Sequence, residues 1–425
     1  MTTQSVGARM IPPGIQLGSA RETPLDRLEF FLAAVTVALA PINYARLEAV
    51  YFTASDFVGV ATLLVMLINR GVRLDFFGQV TPLWYCSFIL FTGGLLIGSV
   101  ASPDPLAGLV VFVQYLYSLL LIPLILASRG PEKTAFLAKV FVLSIAAVML
   151  HGALVTHFVS DPSARIVSPS GRLRSLIERE NAAGALAGIA ITLSIFLTMV
   201  KKISIPSLLV IQPVLWYGLM LTGSNTGFIT AVLGIMLLMV SSGSTRLMSI
   251  ALPSMGVLAV AILLFGEHFL PKAFYERVFS AISSADISQA GTFDDRFALA
   301  SEALDITNKT VFLGLGADQY RTISAYEAPV HNTYLLVLAE GGLISLLGLG
   351  GLFLTGFLIG FPAAVSPKTR FYGAIALSIA VLFALVLNSF AHFYARFWAV
   401  PLTLALALGV ETRHWAHSTY PYRRS

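Results

Sequence analysis

The residues best placed for chemistry lie in the longest polar interval of the chain, residues 266–330, and just beyond it. Arg296 and Arg321 stand in this interval, and His331 lies where the chain returns to apolar sequence. Histidine titrates near neutral pH, and the positive end of a helix dipole disfavours its protonated form. Because an imidazole must be neutral to accept a proton as a general base, His331 is the candidate base; a helix cap or simple hydrogen-bond partner is the alternative.

A second polar stretch, residues 160–180, contains four arginines and no lysine. Arginine presents a planar, permanently charged fork that binds phosphate oxygens through two hydrogen bonds. The stretch therefore indicates anion binding, although flanking membrane helices could simply tolerate the charges. The arginines are Arg165, Arg172, Arg174 and Arg179.

A helix is predicted within the long polar interval, starting at Thr292 or Asp294 and continuing through Asp305. Arg296 would lie near its positively polarised start, as an anion ligand or as a salt-bridged surface residue. The apolar face predicted to lie against the bundle consists of Phe293, Phe297, Ala300 and Leu304.

Three further features surround these candidates. Asn181 is placed to cap a helix in which Gly184 and Gly188 form a small-residue packing face. The turn at residues 222–227 points exposed N–H groups outward, to hold an anion or merely to reverse the chain. Glu340 is a carboxylate inside an apolar helix, which indicates either function or helix–helix contact.

Composition identifies the elements that must position these residues. Apolar residues make up 56% of the 425 positions and charged residues only 12%, too little polar surface for a soluble globule of this size. Repeated apolar runs of about 17 to 25 residues predict an all-α polytopic membrane protein. Cys86 is the only cysteine, so no intrachain disulfide forms. The twelve predicted spans are Leu28–Tyr44, Phe57–Ile68, Pro82–Val100, Leu106–Ala127, Ala135–Phe158, Ala182–Val200, Ile205–Leu221, Gly227–Val240, Met248–Phe265, Thr333–Phe361, Phe371–Leu387 and Phe393–Val410.

Basic residues in the short loops orient the predicted bundle with both termini in the cytoplasm. In this orientation, residues 160–180 and the long polar interval both lie on the extracytoplasmic side of the membrane. The long interval is expected to form a helical extracytoplasmic cap before the tenth span. The predicted organisation is a cytoplasmic tail (1–27), transmembrane helices 1–9 (28–265), a periplasmic loop subdomain (266–330), transmembrane helices 10–12 (331–410) and a cytoplasmic tail (411–425).

Metal and nucleotide chemistry have no support in the sequence. No cluster has metal-ligand spacing, and no Gly-Lys-Ser phosphate loop is present, so no cofactor is predicted. His151, His157 and His392 are weaker catalytic candidates than His331.

Four segments, in order, resemble the superfamily of O-antigen ligases and polysaccharide polymerases of the bacterial envelope. The final pair is the most specific, since it is similar to the family's His-Asn-x-Tyr-Leu and Glu-x-Gly-Leu patterns. The segments are Arg172 with Asn181-Ala182-Ala183-Gly184; Gly223-Ser224-Asn225-Thr226-Gly227; Arg296-Phe297-Ala298-Leu299-Ala300 with Gly314-Leu315-Gly316; and His331-Asn332-Thr333-Tyr334-Leu335 with Glu340-Gly341-Gly342-Leu343.

The resemblance implies transfer of a glycan from undecaprenyl diphosphate to a sugar hydroxyl at the outer face of the inner membrane, without metal, nucleotide or nucleic acid. It gives His331 the role of base and Arg296 that of diphosphate ligand. Family members carry an arginine where this chain has Asn225, so Arg172, Arg174 or Arg179 is expected to supply the missing charge. Possible supporting residues are Asn225, Asn332, Arg321 and Glu340.

Within this class, a ligase and a polymerase differ in the acceptor that receives the glycan. A ligase transfers the glycan to lipid A core, and a polymerase transfers it to another lipid-linked repeat, within lipopolysaccharide or exopolysaccharide synthesis. Membrane lipid and other envelope assembly proteins are the further expected partners. A transporter or flippase is the alternative from another class, although no internal repeat is evident. An inactive subunit of a synthesis complex is the third.

Overall fold

Apolar runs become helices throughout the described part of the chain, as the hydropathy pattern predicts. The computed structural model describes residues 23–44, 46–47, 51–245, 248–249, 256, 270–275, 277 and 293–418. The long helices are α1 Pro24–Leu39, α2 Ala54–Asn69, α3 Thr81–Val100, α4 Pro105–Leu116, α6 Pro131–Phe158, α7 Glu180–Met199, α8 Ile205–Thr222, α9 Asn225–Ser242, α11 Phe293–Thr310, α13 Thr333–Val365, α14 Arg370–Val386 and α15 Arg396–Ser418.

Short elements join these helices. A π-helical turn at Tyr117–Leu121 links α4 to α5 (Ile122–Leu126), and one-turn helices α10 (Lys272–Phe274) and α12 (Tyr320–Ile323) lie in the long polar interval. Strands β1 (Arg46–Leu47) and β2 (Phe52–Thr53) form an antiparallel pair in which Arg46 faces Thr53.

Eight helices among the described residues are long and apolar enough to cross a membrane, which confirms a multi-pass, mostly helical membrane protein. Helices α2 and the apolar part of α15 are shorter, and α1 carries Asp26, Arg27 and Glu29. The predicted span Met248–Phe265 lies outside the described residues except at positions 248, 249 and 256. The count of twelve spans therefore stays a prediction.

Small residues bring the helices around the site into close contact, as predicted for Gly184 and Gly188. A Cβ on Gly184 would lie 2.7 Å from Cβ of Ser224, and one on Gly188 would lie 2.8 Å from the backbone N of Ala231. Helix α7 therefore packs directly on α9. Asn181 does not cap α7, because the helix begins one residue earlier, at Glu180, with Arg179 as its N-cap.

Helix α13 breaks at Gly342, nine residues after its start. Gly342 has φ 67° and ψ −170°, a conformation essentially restricted to glycine. The loop after α11 supplies hydrogen bonds at the break: N–H groups of Leu315 and Gly316 donate to the carbonyls of Ala339 (2.9 Å) and Glu340 (2.8 Å). Irregular backbone at this depth is thus covered by protein.

Replacing Gly342 with alanine is expected to destabilise the fold strongly. The new Cβ would overlap the carbonyl of Phe312 and would require a backbone conformation that L-residues avoid. Gly350→Ala in the same helix is the matched control, because its Cβ would enter open space. Thermal unfolding in detergent should show a lower midpoint for Gly342→Ala alone, and equal midpoints would contradict this reading of the break.

The helix predicted in the long interval exists as α11 but extends about one turn further, to Thr310. Its predicted apolar face is only partly correct, because Ala300 packs on the core whereas Phe297 and Leu304 do not. Phe297 is 69% exposed and Leu304 is 52% exposed. Leu299 and Ala303 are buried instead, because α11 packs on the first turns of α13 and on the segment before it. The residues of this small core are Leu299, Ala303, Tyr320, Val330, Leu336, Ala339 and Ala391.

Candidate functional site

His331 lies on the exposed surface directly before α13. Asn332 caps the helix, because its side-chain oxygen accepts a hydrogen bond from the N–H of Leu335 at 3.1 Å. The same side chain donates from its amide to Oδ1 of Asn388 at 3.3 Å. Asn332 thus fixes the backbone beside His331 to the connection between α14 and α15.

The imidazole of His331 is held in the form that a base requires. Its pKa is lowered from the ordinary 6.5, first by lost hydration and then by the positive charges of Arg296 and Arg179. The ring is therefore neutral at pH 7. Since charges act on a titrating group over a limited distance, both guanidinium groups belong to the surroundings of His331.

A cavity of about 410 Å³ opens between α7, α9 and α14, with a polar end and an apolar side. Arg277, Arg296 and Asn388 line its polar end together with residues of the α7 start and the turn before α9. Arg296 is thus shared between the cavity and the surroundings of His331. The remaining polar lining consists of Asn181, Gly223, Asn225, Thr226, Thr230 and Ser389, and the apolar lining of Ile229, Leu233, Leu382, Leu385 and Val386.

Arg277 is the functional residue that sequence reasoning missed. Its Nε is buried and has no hydrogen-bond partner among the described residues. Burial and then the charge of Arg277 lower the pKa of Arg296, so the two guanidinium groups repel each other across the cavity. Two adjacent cations without a described counter-ion form a site suited to a multiply charged anion.

Arg172 is only 9% exposed and is anchored at the edge of the cavity. Its Nε donates to the carbonyl of Thr222 at 2.8 Å, and its Nη2 donates to Oδ1 of Asn181 at 2.9 Å. Burial, followed by the charge of Arg277, lowers the pKa of Arg172 to about 10, so the group stays protonated at pH 7. Arg172 therefore adds positive charge and fixes Asn181 against the turn before α9.

The other arginines of the outer loop differ in their partners. Arg174 pairs with Glu180 at 2.9 Å and also donates to the carbonyl of Ala164 at 3.1 Å. Arg179 is exposed, and its side chain has no ion pair or hydrogen bond within the described part of the chain. Neither residue lines the cavity. Their predicted role in diphosphate binding stays a prediction, and the charge of Arg179 acts on His331.

Asn225 occupies the first position of α9 and lines the cavity, but it contributes no charge. Its amide donates to the carbonyl of Arg277 at 3.2 Å. Asn225 therefore fixes the backbone of an arginine. Arg277 and Arg296 line the same cavity, and Arg172 donates to the carbonyl of Thr222 at the start of this turn.

Arg321 and Glu340 lie away from the cavity lining. Arg321 is exposed and pairs with Asp318 at 2.8 Å. Glu340 is buried, accepts a hydrogen bond from the N–H of Tyr320 at 3.2 Å and lies 4.0 Å from Nε2 of His392. Glu340 thus ties the start of α12 to α13 beside its break, and it lies next to the α14–α15 connection.

The comparisons with known proteins agree with the sequence resemblance. Residues 208–350, about a third of the chain, match the family model described as O-antigen ligase. The match includes the turn before α9, Arg296, His331 and Glu340, while Arg172 precedes it. A comparison with curated proteins found no match. Members of the matched family are glycosyltransferase-like ligases or polymerases.

Proposed function

We propose that this O-antigen ligase-like membrane protein transfers a glycan from undecaprenyl diphosphate to a sugar hydroxyl of an acceptor. The observation that carries the proposal is the cavity, whose two arginines lack a counter-ion among the described residues and whose apolar side suits a prenyl chain, so that it matches both parts of one lipid diphosphate. His331 lies within electrostatic reach of the polar end. The proposed sites for the diphosphate, the prenyl chain and the base are thus close to one another.

The diphosphate occupies the polar end of the cavity. Arg277 and Arg296 contact its oxygens, and the buried Arg172 adds a third positive charge behind Asn181. When the bond between sugar and diphosphate breaks, negative charge grows on the leaving oxygen. Fixed guanidinium groups in a partly dry cavity stabilise this charge without reorganising.

The prenyl chain lies along the apolar side of the cavity, between α9 and α14. Ile229 and Leu385 line the cavity and are 54% and 47% exposed, which is consistent with a cavity that opens at the surface. An opening toward lipid is what a donor with a long hydrocarbon chain requires, because the chain stays in the bilayer while its head group enters the site.

His331 activates the acceptor. Its imidazole accepts the proton of the acceptor hydroxyl while that oxygen bonds to the anomeric carbon of the donor sugar. The bond from this carbon to the diphosphate oxygen breaks, and its electron pair leaves with undecaprenyl diphosphate. The imidazolium then releases the proton to water, so the scheme balances without metal or nucleotide.

The reaction is placed at the outer face of a bacterial inner membrane, with both termini in the cytoplasm. The acceptor in this proposal is lipid A core or a similar terminal acceptor, as for a ligase. A polymerase, which extends another lipid-linked repeat, uses the same donor chemistry.

Deleting the protein from its host is expected to make undecaprenyl-diphosphate-linked glycan accumulate, because the donor is still made but not consumed. Mass spectrometry of extracted lipids measures this directly. Full-length polymer on the lipid identifies a ligase, and single repeats identify a polymerase. Unchanged lipid-linked glycan, with normal surface polysaccharide, would contradict both.

A further inference from the structure

Two exposed tyrosines on the connection between α1 and α2 form a surface that the donor site does not use. Tyr44 is 36% exposed and lies under the guanidinium of Arg165, 4.2 Å from the ring centroid. Tyr51 is 54% exposed and lies under the guanidinium of Arg46, 5.7 Å from the centroid. Each ring thus has a fixed cation as neighbour and remains accessible.

Glu178 joins the two arginine–tyrosine pairs into one unit. Its carboxylate forms ion pairs with both Arg46 and Arg165. It also accepts a hydrogen bond from the amide of Asn43 at 3.1 Å. Glu178 has a left-handed backbone with φ 67°, which is uncommon for a residue with a side chain and marks a locally constrained turn.

The backbone holds the unit in place as well. The N–H groups of Asn43 and Tyr44 both donate to the carbonyl of Leu176, at 2.8 and 3.1 Å. Arg165 donates from Nη2 to the carbonyl of Tyr44 at 2.8 Å. These bonds tie the connection after α1 to the arginine-rich loop, so the aromatic rings are preorganised.

The unit formed by Glu178 and the two arginine–tyrosine pairs is directly followed in the chain by Arg179. Glu178 directly precedes Arg179, the exposed cation whose charge acts on His331. None of Tyr44, Tyr51 and Arg179 lines the donor cavity. A molecule resting on the tyrosines and Arg179 therefore approaches His331 without entering the space assigned to the lipid donor.

We propose that Tyr44, Tyr51 and Arg179 form the subsite that binds the acceptor saccharide. Sugar rings present C–H faces that pack on aromatic rings, while their hydroxyl or acidic groups bond to a guanidinium. Tyrosine combines an apolar ring with a polar end, and such side chains are suited to a ligand with both characters. This assignment rests on the proposed glycan transfer, because it gives the incoming sugar of that reaction its place.

The test compares acceptor and donor kinetics in full-length protein reconstituted in lipid nanodiscs. The probes are lipid A core oligosaccharide and, in a second arm, the lipid-linked single repeat, each purified from the host.

Tyr51→Ala is expected to raise the KM for the acceptor about tenfold, because one tyrosine contact is lost, with the donor KM unchanged. Tyr51→Phe should retain most of the affinity, because the ring remains. Tyr217→Ala is the matched control, since Tyr217 is an exposed tyrosine that stacks on His157.

Binding measured by calorimetry with His331→Ala protein separates this proposal from the proposed function. If the oligosaccharide binds and the double variant His331→Ala, Tyr51→Ala loses that binding, the subsite stands even if no transfer occurs. Equal acceptor affinity with and without Tyr51 overturns it, as does a parallel rise in the donor KM. Monodisperse chromatography of each variant shows that the fold is intact.

Discussion

Replacing His331 with alanine is expected to lower the rate of glycan transfer by about 10²–10⁴-fold at saturating donor and acceptor. The imidazole is the neutral base beside the arginine cluster, and alanine leaves the acceptor hydroxyl without a proton acceptor. The fold should survive, because His331 is exposed and the helix cap is made by Asn332. Product formation by reconstituted protein measures the effect.

The matched control is His157→Ala, which removes an exposed histidine at the end of α6. The pH profile gives a second check. Because the pKa of His331 lies below 6.5, activity should hold from neutral pH downward and fall only as pH drops through that lowered pKa. Full activity of His331→Ala, or an acid limb above pH 6.5 in the wild type, contradicts the assigned role.

Replacing Arg296 with alanine is expected to lower the rate by about 10²–10³-fold, the cost of removing one preorganised group that stabilises a developing oxyanion. Arg296 lines the cavity and is in electrostatic contact with both Arg277 and His331. Arg296→Lys should recover only part of the loss, because an ammonium cannot bind two phosphate oxygens in the same planar fork.

Arg321→Ala is the control for charge alone. Arg321 is an exposed arginine that pairs with Asp318 outside the cavity lining, so its loss should leave the rate nearly unchanged. If Arg321→Ala and Arg296→Ala reduce transfer equally, general surface charge rather than a diphosphate site explains the effect.

Hydropathy predicted most of the helices because backbone groups in lipid must bond within their own segment. The break at Gly342 was not predicted, since a Gly-Gly pair also suits close helix packing, and only the bonds from Leu315 and Gly316 reveal it. The apolar face of α11 was predicted only in part, since Ala300 packs on the core but Phe297 and Leu304 are exposed. A helix lying on a membrane bundle can expose large side chains such as Phe297 and bury small ones such as Ala303, so periodicity does not identify the packed face.

The candidate site was partly predictable. His331 and Arg296 are distinctive because they are polar residues beside apolar helices, and the structure places them in one electrostatic neighbourhood. Arg277 and Asn388 carry no local signal of function. Their place in the cavity follows from how α9 and α14 pack, which residues distant along the chain decide. Arg172 was predicted from the sequence as a source of positive charge. The structure shows that it also joins the outer loop to Thr222 and Asn181 through hydrogen bonds.

The most direct test of glycan transfer at this cavity uses purified protein in nanodiscs with lipid-linked glycan as the only donor. Phosphorus NMR follows the lipid and mass spectrometry follows the acceptor in the same sample. The account predicts that the wild type releases undecaprenyl diphosphate with both phosphates attached, one for each extended acceptor, and that His331→Ala and Arg296→Ala release almost none. Release of monophosphate, or equal product from the wild type and both variants, would contradict it.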